Sequence, residues 1–335
     1  MAPLFTGSKF GFGRSAEVAG GITSLPPLKL VLGDFGSSNV LLYNSVGNTL
    51  TTVSVASGSI RQLAFNNSGY VSVLSDGTVY QSTNQGSSWS QINANIGLTP
   101  PAAAYASQAG ETIINNNSGY APPIRRSTDG GTNWSSNITL SIGSYGVLVS
   151  ASKVGSNWYY TGRYEGGVDV GGIWKSTDDG ASWTLLNTLS NGLTQGKVVY
   201  LTNASKYLAA YYSYGISYQK PIYSSDGTSW TNPGAGGGET FAVNQDLATN
   251  GTIVIGTANG SGLYRSTDGI SWSSIDLSYL SGLTNHHSIT YNSVVGFVVQ
   301  SPLYILRSMD GIIWTKTTIA ATGDYRYVSS LIIPG

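Results

Sequence analysis

The chain has 335 residues, sixteen basic and sixteen acidic, and charged side chains make up only 10% of it. A formal net charge of zero leaves no electrostatic footprint for a nucleic-acid backbone or an anionic membrane surface. The lack of cysteine excludes disulfides, thiolate metal sites and cysteine nucleophiles, and the two histidines are adjacent, at 286 and 287, so neither a metal nor another cofactor is expected.

Residues 1–27 stand apart. "MAPLFTGSKFGFGRSAEVAGG" holds no apolar run long enough for a signal-peptide core, and nowhere do eighteen apolar residues run together, so synthesis in a cytoplasm without a membrane span is expected. Phe5, Phe10 and Phe12 are three of the seven phenylalanines, set among small polar residues and followed by Pro26-Pro27. Two readings stay open: a terminus without fixed structure, or an anchoring arm whose aromatics order on another chain.

Residues 28–335 read as one β domain. Lys29–Ala56 looks like the second, third and fourth strands of a unit that lacks a first. Next come "RQLAF", "YVSVL" and "TVYQS", separated by the turn signals "NNSG" and "SDG", with a fourth strand starting at Trp89. The scheme repeats with "VLVSAS", "NWYYTGR", "GIWKS"; with "VVYLT", "YLAAYYS", "PIYSS"; with "FAVNQ", "TIVIGT", "GLYRS"; and with "SITYN", "GFVVQ", "YILRS". β-branched and aromatic content favours strands throughout, and no segment has a helical period. "RYVSSLIIPG" at the end looks like a first strand without followers, so the two ends complement each other. The expected fold is all-β: a single seven-bladed β-propeller, with six blades as the alternative if the degenerate first unit is misread. It carries an N-terminal extended arm, and its C-terminal strand closes the first blade and leaves no sheet edge around the ring.

One turn recurs six times, as "STNQGSSW", "STDGGTNW", "STDDGASW", "SSDGTSW", "STDGISW" and "SMDGIIW", with Trp at 89, 134, 183, 230, 272 and 314. The intervals of 45, 49, 47, 42 and 42 residues are those of a four-stranded supersecondary unit. The pattern resembles the Asp-box, or BNR, repeat of sialidase-like propellers, and the resemblance covers six of the seven units. It implies that each copy is the hairpin between the third and fourth strands of a blade. Asp and Ser can accept from loop N–H groups, Gly supplies a positive φ, and Trp folds over the hairpin. Asn84, Trp89, Asp129, Trp134, Asp178, Trp183, Asp226, Trp230, Asp268, Trp272, Asp310 and Trp314 are therefore read as structural. Asn84 keeps the acceptor oxygen without the charge, a swap that a turn tolerates and a catalytic carboxylate would not.

Sialidase-type catalysis asks for three arginines around the substrate carboxylate, and the family's Arg-Ile-Pro motif is missing. Arg125, Arg126, Arg265 and Arg307 directly precede the turns and are expected on outer strands. The loops opposite the turns would form a mouth, with ligand-binding candidates Arg163, Tyr164, Glu165 and Asp169 in "RYEGGVDVGG", Tyr214 and Tyr218 in "SYGISYQKP", and His286 and His287 in "YLSGLTNHH". Aromatic platforms beside hydroxyls and amides suit sugars.

With the hydroxyl- and amide-rich surface, these traits suggest a non-enzymatic, homo-oligomeric phage tail or capsid-associated protein. It would be made in the host cytoplasm, docked to other virion proteins through residues 1–27, and would show a host glycan or receptor-binding face. The alternatives are a sialidase-like glycoside hydrolase and an intracellular assembly scaffold similar to the propeller factor that helps build photosystem II, with a cytoplasmic location.

Overall fold

The computed structural model describes residues 25–33, 37–56, 58–66, 69–74, 76–98, 105–106, 113–116, 122–142, 147–165, 170–189, 192–213, 220–233, 245–258, 260, 262–284, 286, 288–301, 303–319 and 332–334. Regular structure among them is β, apart from one short 3-10 turn at Thr202–Ala204, and no helix is long and apolar enough to cross a membrane. The described strands form seven sheets.

The first sheet draws on both ends of the chain. Ile332–Pro334, Leu28–Gly33, Asn39–Asn44 and Thr49–Ser54 lie in that order and pair antiparallel, with Leu28 opposite Pro334 and Leu30 opposite Ile332. The second sheet is a meander of Ile60–Asn66, Gly69–Leu74, Val79–Ser82 and Ser90–Asn93. The third holds Ile113–Asn116 and Ile124–Ser127, with a single bridge from Ile124 to Ile138 in place of a fourth strand.

The fourth sheet consists of Val147–Val154, Asn157–Glu165, Val170–Ser176 and Thr184–Leu189, with Tyr105–Ala106 added in parallel along Ser150–Ala151. In the fifth, Gly192–Leu201, Lys206–Ser213 and Ile222–Ser224 pair in turn. The sixth has Asp246–Thr249, Val254–Thr257, Leu263–Ser266 and Ser273–Ser274; the seventh has Ser288–Asn292, Gly296–Gln300, Tyr304–Ser308 and Thr315–Thr318.

Burial explains why the apolar runs do not alternate. Every residue of Val254–Thr257, Gly296–Gln300 and Tyr304–Ser308 is buried, because these middle strands have a neighbouring sheet on each face. Leu28, Leu30 and Leu32 of the first sheet share a core with Ile60 and Leu63 of the second and with Val295, Val298 and Ile305 of the seventh. Ile253 and Ile255 of the sixth pack with Phe297, Val299 and Trp314 of the seventh. The first sheet thus packs against both the second and the last.

Polar groups on the leading strands tie successive sheets together. Thr194 Oγ1 donates to the Gly172 carbonyl at 2.6 Å and accepts from the Gly162 N–H at 2.9 Å, joining the fifth sheet to the fourth. Lys197 Nζ lies 2.8 Å from Asp246 Oδ2 in the sixth sheet and donates to the Ile289 carbonyl of the seventh at 2.7 Å. The Asp246 carboxylate also accepts from the N–H groups of Lys197, Leu247 and Ile289. Of the expected leading strand "FAVNQ", residues 241–244 lie outside the described residues, and the described strand begins at Asp246.

Candidate functional site

The recurrent turns are built alike. In each, the Ser hydroxyl donates to the Asp or Asn side-chain oxygen at 2.7–3.0 Å: Ser82 to Asn84, Ser127 to Asp129, Ser176 to Asp178, Ser224 to Asp226, Ser266 to Asp268 and Ser308 to Asp310. The same Ser oxygen accepts the N–H of the turn glycine, as at Gly131 and Gly311. The carboxylate in turn accepts one or two loop N–H groups, such as those of Thr228 and Ser229 at Asp226.

These donors stabilise the ionised form. The Ser182 hydroxyl and N–H hold Asp178 at a pKa of about 2, and the Ser229 and Thr228 N–H groups do the same at Asp226. At Asp129, Asp268 and Asp310 burial pulls the other way, yet the hydrogen bonds still leave the pKa lowered. A carboxylate held ionised by its own loop has no proton to give near neutral pH, and the oxygen nearest the loop is committed to loop donors.

The two turn lengths have a conformational origin. The longer class places its extra residue, Gln85, Gly130 or Asp179, at a φ of 60°, 71° or 57°, directly before the positive-φ glycine. There the Trp indole reaches the glycine carbonyl, as in Trp134 Nε1 to Gly131 O at 2.8 Å. In the shorter class only the glycine is left-handed, and Trp230, Trp272 and Trp314 are buried instead.

The candidates on the opposite loops do not converge among the described residues. Arg163 and Tyr164 are half-buried near the end of Asn157–Glu165, and Tyr164 leans on the core shared by Trp158 and Trp174. Glu165 is the last residue of that strand. Asp169, Tyr214, Tyr218 and His287 lie outside the described residues. His286 is 1% exposed and stacks edge-on against Tyr304 at 5.9 Å, which makes it part of the packing rather than of an open mouth. No three His, Asp or Glu side chains among the described residues gather as metal ligands.

The face that carries the recurrent turns has features absent from the sequence reading. Arg307 was expected on an outer strand, but Tyr304–Ser308 is the third strand of its sheet and Arg307 is only 4% exposed. Its Nη2 donates to the Pro26 carbonyl at 2.6 Å, while Nε has no acceptor. It borders an open cleft of about 380 Å³ between the seventh and first sheets, lined also by Leu25, Tyr43, Ser45, Asn48 and Thr317. The same face also carries exposed apolar side chains. Of the seven large exposed hydrophobic side chains among the described residues, five sit on loops of this face: Val46, Ile270, Val294, Met309 and Ile312.

No protein-family model and no curated protein sequence matches the chain. Solved structures do. The periplasmic gluconolactonase PpgL of Pseudomonas aeruginosa superposes with a TM-score of 0.63 at 10% identity, over 92% of this chain and 99% of that one. YCF48 bound to a D1 peptide gives 0.54 at 17% identity, over 77% and 80%. Apo AztD of Citrobacter koseri gives 0.52 at 10%, over 92% and 99%. The fold is a β-propeller.

That likeness corrects the functional expectation. The reading as a phage tail or capsid-associated protein with a glycan- or receptor-binding face is overturned: the propellers that superpose on this chain include a lactonase and a peptide-bound protein, and none of those named is a virion component. The surface poor in charge that prompted it is equally compatible with other propellers.

Proposed function

We propose that this chain is a seven-bladed propeller of the Asp-box type that holds a polypeptide partner, without turning it over, on the face that carries the recurrent turns. The observation behind this reading is the gathering of Val46, Ile270, Val294, Met309 and Ile312 on that face, over the sixth, seventh and first sheets. Five of the seven large exposed apolar side chains among the described residues lie on this one face, a concentration that suits a surface covered by a partner. With no net charge to steer a ligand, apolar contact and backbone hydrogen bonding suit a polypeptide better than a polyanion. YCF48, a propeller of similar fold, is known bound to a peptide, which lends support by analogy. Seven sheets, the first completed by Ile332–Pro334, support the blade count. Residues 1–27, which reach this face at Leu25, form a second contact to a partner chain in this reading.

The test is to pan short random peptides on the intact protein and titrate the selected ones against it. Binding that weakens at least tenfold in Ile312→Ser or Val294→Ser supports the surface. Selected peptides that bind these variants unchanged overturn it, and steady turnover of a fluorogenic lactone or sialoside overturns the claim that the protein does not catalyse.

A further inference from the structure

The geometry points to the cleft at Arg307 as a binding site for a carboxylate, and this deepens the reading above: the docking polypeptide offers an acidic side chain or a free C-terminus to that arginine. A guanidinium as buried as Arg307 needs a counter-charge, since an isolated charge out of water is among the costliest features a fold can hold. Among the described residues no carboxylate lies within ion-pair reach of it. Only the neutral Pro26 carbonyl answers the guanidinium, and the Nε–H is left without an acceptor. Buried donors are satisfied in the great majority of cases, so one left open beside an accessible cleft indicates what enters it.

The rest of the lining donates as well. Ser45 Oγ already accepts the Leu28 N–H at 2.7 Å, which frees its hydroxyl hydrogen to donate. Tyr43 and Thr317 bring further hydroxyls, Asn48 an amide and Leu25 an apolar wall, and the lining has no acid. One arginine balances one negative charge. A carboxylate fits that count, and its two oxygens match the planar donor fork, whereas a phosphate dianion would keep a charge unpaired.

The test uses the intact protein at constant ionic strength, titrated with N-acetyl-leucine and, separately, with N-acetyl-leucinamide and inorganic phosphate. Thermal stability and the Arg307 Nε–H resonance are followed. The expected result is a saturable rise in Tm and a shifted Nε–H signal with the acid, at least tenfold weaker with the amide. Arg307→Lys should weaken the acid about tenfold. Thr317→Val, at the rim and close in shape, should weaken it several-fold in a protein that folds normally. Equal response to acid and amide overturns the assignment, as does saturation by phosphate in place of the acid. Uptake seen only in Glu17→Gln also overturns it, since the chain's own acid would then fill the cleft. Loss of peptide binding in Ile312→Ser with acid uptake intact separates this site from the surrounding surface.

Discussion

Lys197 and Asp246 form an ion pair of 2.8 Å that spans two sheets, and the same ammonium reaches a carbonyl on a third. Asp246 has little contact with solvent, and its carboxylate also satisfies three backbone N–H groups. Asp246→Ala should therefore cost about 3–5 kcal/mol, the range for breaking a buried pair from one side. Lys197→Met should cost less, because the ammonium is more exposed. Urea unfolding of both variants checks the order, and equal losses would contradict it.

The turn carboxylates give the fold an acid limit. Asp178 and Asp226 titrate near 2 in the folded chain, below their ordinary value of 3.8, so their contribution is in full force above about pH 4 and is lost as pH falls from 4 through 2. Asp226→Asn should flatten that limb of the stability curve. Asn84→Asp should steepen it, because the first turn now has no charge to lose. Tm measured from pH 7 down to pH 2 reads both.

Turn length should set the cost of losing each tryptophan. Trp314 is buried against Phe297 at 6.5 Å, and the Tyr279 hydroxyl bridges its backbone N–H and carbonyl. Trp314→Ala is expected to cost about 3–5 kcal/mol. Trp183 is only half-buried, and its alanine variant should cost about 1–2 kcal/mol. Comparable denaturant midpoints for the two would break the link between loop length and packing.

Ile312→Ser and Val294→Ser should leave stability within about 0.5 kcal/mol of the parent while peptide binding falls. Thermal melts beside the peptide titration separate the two effects.

What was legible in the sequence follows from how local each feature is. Ser, Asp, Gly and Trp at fixed spacing describe a loop that satisfies itself, so Ser308–Trp314 could be read without its neighbours. Asp246 has no local signature: its partners are Lys197, 49 residues away, and the N–H groups of Leu247 and of Ile289 on another sheet. The parallel step of Tyr105–Ala106 onto the fourth sheet is two residues long and has no periodic trace. Arg307 was misplaced for a similar reason. A place directly before a recurrent turn suggests an outer strand, whereas the covering of both faces by adjacent sheets exists only once the sheets are assembled. The cleft brings the turn residues Ser45 and Asn48 together with Thr317 and Arg307, about 260 residues further along, and these share no motif.

Ile333→Pro should test the first sheet. It opposes Lys29, and losing that N–H should lower stability by about 2 kcal/mol and leave Leu28–Gly33 as an open edge. Concentration-dependent association by light scattering is the expected companion.

The pairing of Leu28 with Pro334 also sets a timetable for biogenesis. Roughly 300 residues must leave the ribosome between the two strands, which at typical elongation rates is about 15–60 s. Throughout that interval the nascent chain presents an unfinished three-strand fragment with an apolar border, and the longest loop in the molecule closes last. Completion of the first sheet therefore waits on the last strand to be made, because the two ends of the described chain meet in that one sheet.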